Sequence, residues 1–213
     1  MTDPSRVPQT HRIILVRHAR SRVDQARNPR EWGLTEEGAA AAGRLSALAL
    51  FEHAAGFYAG SEPKMVQTLE PVAGALGRRV TAEAAFGETA SEGVWAGEEA
   101  FQATVRRLFE APAAATQPGW ETAAAAVVRF GAAVERLREV HEPTLYPGHA
   151  LPGTFAISSG GRMLTAYLAH LLGYTPEQAF TAWRALRMPD VGVLELSVSA
   201  PPQMVIPFGT LTV

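Results

Sequence analysis

The chain has 213 residues, 47% hydrophobic and 19% charged, with 19 Lys+Arg against 21 Asp+Glu for a formal net charge of −2. That is the length of one domain spanning 1–213, with ample apolar surface for a core and no basic run long enough to track a phosphate backbone, which disfavours nucleic acid. No cysteine is present, which excludes disulfides, thiolate zinc sites and a cysteine nucleophile, and no apolar stretch approaches the roughly 20 residues of a membrane span, so a soluble cytoplasmic protein is expected.

The first element in chain order is Arg12-Ile13-Ile14-Leu15-Val16, too apolar to be half exposed and therefore read as a buried strand of a parallel or mixed sheet. It stops at Arg17-His18-Ala19-Arg20-Ser21. Thr35 then caps a helix carrying Ala41, Leu45 and Leu48 at helical spacing, with Glu36 and Glu37 in the first turn, and that helix is expected to end before His53. Gly56 to Ala59 reads as a strand, and Pro63 opens a helix running to about Gly77. From Glu83 to Gly119 glycines interrupt the pattern, a helix fits Glu98 to Phe109, and Pro112 to Gly119 reads as linker. The stretch at about 83–119 is thus expected to be an insertion over the carboxyl ends of the strands.

A long helix is predicted from about Trp120 to Val140, with Val127, Phe130, Val134 and Leu137 on one face. Glu142 to Gly153, with Pro143, Pro147 and Pro152, is predicted to be loop, and Thr154 to Ser158 a buried strand. Ser159-Gly160-Gly161 turns into a helix with Leu164, Leu168, Leu171 and Leu172 buried. Thr175-Pro176-Glu177-Gln178 is a capping box opening the next helix, and Val191 to Val198 and Met204 to Phe208 read as closing strands. No internal repeat is found. Alternating strands and helices of this kind give an α/β sheet, whose ligands bind at the carboxyl ends of the strands.

At the first strand end a guanidinium, an imidazole and a hydroxyl arrive within five residues. Arginine offers a planar fork matching phosphate oxygens, serine adds a neutral donor, and a neutral histidine nitrogen can attack phosphorus. An isolated Arg-His pair would ordinarily do no more than end a strand. Here, however, Ile14-Leu15-Val16-Arg17-His18-Ala19-Arg20-Ser21 is followed in order by Leu34-Thr35-Glu36-Glu37-Gly38 and by Ser61-Glu62-Pro63-Lys64-Met65-Val66-Gln67-Thr68. From about Arg12 to Val198 the chain resembles the histidine phosphatase superfamily, also called the phosphoglycerate mutase-like family.

The resemblance implies a three-layer α/β sandwich, with a mostly parallel central sheet flanked by helices, and a metal-independent phosphomonoester hydrolase acting through a phosphohistidine. His18 would be the nucleophile, while Arg17, Ser21, Lys64 (where the family has a second arginine), Ser159 and Gly160 would surround the phosphate. Glu88, in Phe86-Gly87-Glu88, best fits the acid that protonates the leaving oxygen, with Glu92 as the alternative. The resemblance implies no cofactor and no metal, and a small phosphorylated molecule as partner, with neither nucleic acid nor membrane; a homodimer is left open.

Two departures stand out. Ser159 occupies the place of the family's second histidine, and Asp24 that of its usual asparagine. A neutral hydroxyl donates one hydrogen bond but no charge, and losing a preorganised donor costs roughly 10²–10³ in rate. Weak hydrolysis is therefore expected, with a phospholigand-binding protein without turnover as the alternative and a mutase behind it. His149, in the loop before that strand, is a candidate substitute, although loop histidines are ordinarily solvated. Arg106 and Arg107 are candidates for a distal anionic group of the substrate, against the plainer expectation of an exposed polar helix face. Trp95 and Trp120 either line a pocket or pin the insertion to the core. His11, His53, His141 and His170 read as surface or helix-end residues.

Overall fold

The computed structural model describes residues 10–90, 97–146 and 149–212. Six strands form the main sheet: β1 (Thr10–Arg17), β2 (Phe57–Ala59), β3 (Val80–Ala82), β6 (Gly153–Ser159), β7 (Asp190–Ser197) and β8 (Gln203–Ile206), in the order β3-β2-β6-β1-β7-β8. β3, β2, β6 and β1 run parallel, and β7 returns antiparallel beside β1. The fold is α/β with a mostly parallel sheet between helices.

The alternation of side chains along β1 divides the core. Ile13 and Leu15 join Phe155, Ile157, Leu194 and Leu196 on one face, where α4 (Ala123–Val140), α5 (Gly161–Leu172) and α6 (Pro176–Ala185) supply Val127, Phe130, Val134, Met163, Leu164, Phe180 and Trp183. Ile14 and Val16 join Ala156, Val191 and Val193 on the other, against Leu45, Phe51, Leu69 and Val72. Burial on both faces is why the run reads as continuously apolar rather than alternating.

Caps set the helix ends. The Thr35 hydroxyl accepts the Gly38 N–H at 2.9 Å and starts α1 (Glu36–Arg44). That helix is shorter than predicted: two 3-10 turns, at 45–47 and 49–53, follow it and turn both Leu45 and Phe51 into the core. α2 (Pro63–Ala75) opens on proline at its first turn, as its sequence predicts. α3 (Glu98–Glu110) lies where the helical pattern placed it, whereas α4 begins at Ala123 rather than Trp120, because Thr122 caps it through the Ala125 N–H. The Thr175 capping box forms with both of its hydrogen bonds.

The stretch predicted as loop between α4 and β6 instead contains a hairpin, β4 (Thr144–Tyr146) and β5 (His149–Leu151). Its prolines at 143 and 152 flank the two strands and leave their ladder donors intact. β3 is a further element absent from the sequence reading; three residues are too few to show a period.

Candidate active site

Three strand ends meet at Arg17. It closes β1 in register with Ser159 of β6 on one side and Asp190 of β7 on the other. Its Nη1 donates to the Leu186 carbonyl at 2.5 Å, while its Nε is buried with no hydrogen-bond partner among the described residues. Burial pushes the Arg17 pKa down and the carboxylates of Glu88 and Asp190 act against that. A guanidinium stays charged in such a place.

His18 follows directly. Its backbone N–H reaches the Ser159 carbonyl at 3.1 Å, carrying the β1–β6 ladder one step further, and only 8% of the residue is exposed. Nδ1 lies 2.8 Å from the Ala19 carbonyl oxygen. A carbonyl can only accept, so Nδ1 carries the proton and Nε2 keeps a free lone pair. Burial, with the charges of Lys64 and Arg17 behind it, pushes the His18 pKa down to about 3, which keeps the ring neutral. Next along the chain, the Ala19 N–H donates to the Thr68 hydroxyl at 2.9 Å, and that hydroxyl donates to the Lys64 carbonyl at 2.6 Å. Thr68 thereby ties the first turn of α2 to the loop after β1.

Lys64 is buried beside these groups with its ammonium engaged: Nζ lies 2.7 Å from Glu62 Oε2 and donates to the Pro29 carbonyl at 2.6 Å. Glu62, also buried, takes the Glu88 N–H on its other oxygen at 3.0 Å. The Glu88 carboxylate accepts the N–H groups of Met163 and Thr89 on Oε1, both at 2.8 Å, and that of Arg162 on Oε2 at 3.2 Å. Burial works to raise its pKa, but Arg162, the Thr89 N–H, His18 and Lys64 together hold it below the usual carboxylate value. A Cβ at residue 160 would collide with this carboxylate, so glycine is required there. The Ser159 hydroxyl donates to the Phe86 carbonyl at 2.6 Å, fastening the segment that carries Glu88 to β6.

A family model for the histidine phosphatase superfamily, branch 1, matches residues 13–199. The chain belongs to that superfamily. Membership supports phosphatase or mutase-like phosphoryl transfer as its chemistry. Among solved structures, this histidine phosphatase is similar to a mycobacterial glucosyl-3-phosphoglycerate phosphatase, at 14% identity and TM-score 0.73, over 93% of this chain and 98% of that one. YhfR of Bacillus stearothermophilus matches at 17% and 0.73, over 95% and 98%. A phosphoglycerate mutase from Bacillus anthracis str. Sterne matches at 13% and 0.67, over 93% of each chain. At these identities the likeness is one of fold. No curated protein sequence matches significantly.

Of the candidate site residues, Arg17, His18, Lys64, Glu88, Ser159 and Gly160 are brought together. Ser21 is half-buried in an isolated bridge to Leu34, and its hydroxyl makes no hydrogen bond among the described residues. Asp24 shapes a turn, accepting the Ala26 N–H at 3.0 Å. Arg106 is taken by Glu177 at 2.8 Å and by the face of Phe180 and so serves the contact of α3 with α6, whereas Arg107 donates to the Thr104 hydroxyl of its own helix. Among the other histidines, His11 is buried rather than at the surface and bonds the Arg138 carbonyl, and His141 bonds the Tyr58 hydroxyl. Glu92, Trp95 and the His149 side chain lie outside the described residues.

Three residues of the site escaped sequence reasoning. Glu62 left the only signal, an acid two residues before Lys64. Arg162 is buried against Phe101 and Trp120, and Asp190 accepts the N–H groups of Arg187, Val191 and Gly209.

Proposed function

We propose that the protein hydrolyses small phosphomonoesters without a metal, as a single domain whose stretch at 83–119 is inserted over the strand ends, by way of a phosphohistidine on His18. The observation that carries this reading is the 2.8 Å contact of His18 Nδ1 with the Ala19 carbonyl oxygen, which puts the ring proton on Nδ1 and leaves a neutral Nε2 beside Arg17 and the buried Lys64. The Nε2 lone pair attacks phosphorus, and the P–O bond to the leaving group breaks with its electron pair on oxygen. Water then attacks the phosphohistidine and gives up a proton, and the P–N pair returns to Nε2. Glu88 is the carboxylate beside His18 that takes part in proton transfer. The Arg17 guanidinium, whose buried Nε–H has no hydrogen-bond partner among the described residues, holds a phosphoryl oxygen. The Ser159 proton is committed to Phe86, so Ser159 adds little to binding, and turnover is weak.

Release of phosphate from 4-nitrophenyl phosphate in the presence of EDTA tests this: the wild type turns over and His18→Ala does not. A wild type that binds phosphate without releasing it from the ester contradicts the reading. That result favours a phospholigand-binding protein, for which the pairing of Lys64 with Glu62 and of Ser159 with Phe86 speaks.

A further inference from the structure

Arg162 is the second residue of α5, and it meets Glu88 twice. Its backbone N–H donates to Oε2 at 3.2 Å, and its Nε lies 3.6 Å from the same oxygen. Thr89 joins the two side chains: its N–H donates to Glu88 Oε1 at 2.8 Å, and its carbonyl accepts from Arg162 Nη2 at 3.4 Å. Only 7% of Arg162 is exposed, and its guanidinium lies over the rings of Phe101 on α3 and Trp120 before α4, 5.4 and 5.7 Å from their centres. Its Nε and Nη1 have no hydrogen-bond partner, and among the described residues Glu88 is the one carboxylate within ion-pair distance. A guanidinium keeps its charge when buried, and a buried charge is costly unless an opposite one stays beside it. A proton on Glu88 would leave Arg162 uncompensated, so the two charges are linked.

We propose that Arg162 is a positioning residue of this active site, which fixes the orientation and the charge of the Glu88 carboxylate. This rests on the phosphohistidine reading above, in which Glu88 exchanges a proton beside His18. The other charged and titratable groups that face Glu88 are Lys64 on α2, Arg17 and His18 at the end of β1, Glu62, which accepts the Glu88 N–H, and Arg129 on α4, which donates to the Glu88 carbonyl. Lys64 has Glu62 at 2.7 Å, Arg129 has Glu121 at 2.7 Å, and the charge of Arg17 is met by Asp190 as well as by Glu88. Arg162 is the cation committed to Glu88 alone. Burial pushes the Glu88 pKa up, and Arg162 is the strongest of the groups that pull it below the usual carboxylate value. The pH at which Glu88 exchanges its proton, in either direction of transfer, is therefore set from α5 and from the two rings that hold Arg162.

The test titrates Glu88 directly, by carbon NMR of protein labelled at the glutamate carboxyl carbons, with the Glu88 signal assigned by its absence from Glu88→Gln. In the wild type Glu88 is expected to titrate below the usual carboxylate range. An opposite charge close to a carboxylate lowers its pKa by about 1–3, so Arg162→Met is expected to move the titration up by about one pH unit or more, and Arg162→Lys to restore most of the difference. The pH profile of kcat for 4-nitrophenyl phosphate is expected to follow: the limb that Glu88→Gln abolishes moves to higher pH in Arg162→Met, with KM unchanged, and returns in Arg162→Lys. A role confined to packing would lower kcat at every pH and leave the limb in place. Should Arg162→Met not fold, Arg162→Gln, which keeps a planar polar end without the charge, takes its place. A wild-type Glu88 that titrates at or above the usual value, or a titration or limb that loss of the Arg162 charge does not move, overturns the proposal while leaving the hydrolase reading intact. Absence of turnover in the wild type overturns the hydrolase reading, and the titrations then decide the pairing of Arg162 with Glu88 by themselves.

Discussion

Each buried cation of the site has a buried anion close to it: Lys64 has Glu62 at 2.7 Å, Arg162 has Glu88 at 3.6 Å, and the charge of Arg17 is met by Glu88 and Asp190. If His18 is the nucleophile as proposed, a phosphate bound beside it competes with carboxylates already in place. Glu62→Gln keeps the shape and removes one of them, so phosphate is expected to inhibit that variant at about tenfold lower concentration, as its inhibition constant would report. A weaker or unchanged constant would show that Lys64 does not meet the ligand. His18 makes a second expectation, in acid. Unfolded, its ring takes a proton near 6.5, whereas folded it does so only near 3. Between those values the unfolded chain binds more protons, so stability falls as pH drops from 6.5 towards 3, by up to about 1.4 kcal/mol per pH unit, and nothing is lost above that window. Urea melts at pH 7 and pH 5 are expected to show a larger loss for wild type than for His18→Asn. Arg17, His18 and Lys64 were legible in the sequence because each lies in a contiguous motif at an element's end. Glu62 drew no notice beside them, while Arg162 and Asp190 acquire their meaning from partners more than 70 and more than 170 residues earlier, which no local pattern brings together.

The motif elements work as clasps between segments. Thr35 caps α1, and its N–H donates to the Arg20 carbonyl at 3.0 Å, while a Cβ at Gly38 would collide with that same carbonyl oxygen. Thr35→Ala is expected to cost about 1 kcal/mol, the usual worth of such a cap, with phosphatase activity reduced only slightly. Gly38→Ala must displace the loop after β1, so thermal melts and kinetics are expected to show losses in stability and activity together; loss of stability alone would mean that the loop yields without disturbing His18. The segment carrying Glu88 is clasped from α4, where Arg129 donates to the Ala85 carbonyl at 2.6 Å and pairs with Glu121, whose carboxylate takes the Ala90 N–H at 2.9 Å. Strand and helix types were readable from apolar spacing and caps over most of the chain. The β4–β5 hairpin was not, because its three-residue strands lie between prolines that otherwise signal loop. The breaks after α1 were hidden for a related reason: 3-10 turns keep leucine and phenylalanine at spacings a helix also allows.

At the scale of the whole molecule, the sheet separates two apolar layers, and the site stands where strand ends, the first turns of α2 and α5, and the segment after β3 converge. Phe130 links these parts. It is fully buried in α4, with ring centroids 5.3 Å from Phe86 and 4.8 Å from Tyr167 of α5. Phe130→Ala is expected to cost about 3–5 kcal/mol in urea unfolding and to lower turnover in the fraction that stays folded, since Phe86 precedes Glu88 by two residues. The central claim is that His18 carries the phosphoryl group. It is tested most directly by mixing the protein with 4-nitrophenyl phosphate in EDTA, quenching within the first turnover and locating the phosphoryl group by mass spectrometry under alkaline conditions that preserve phosphohistidine. One phosphoryl group on His18, formed as fast as nitrophenolate appears and absent from His18→Ala, is the expected result; nitrophenolate released at the wild-type rate by His18→Ala, or a label on any other residue, would contradict it.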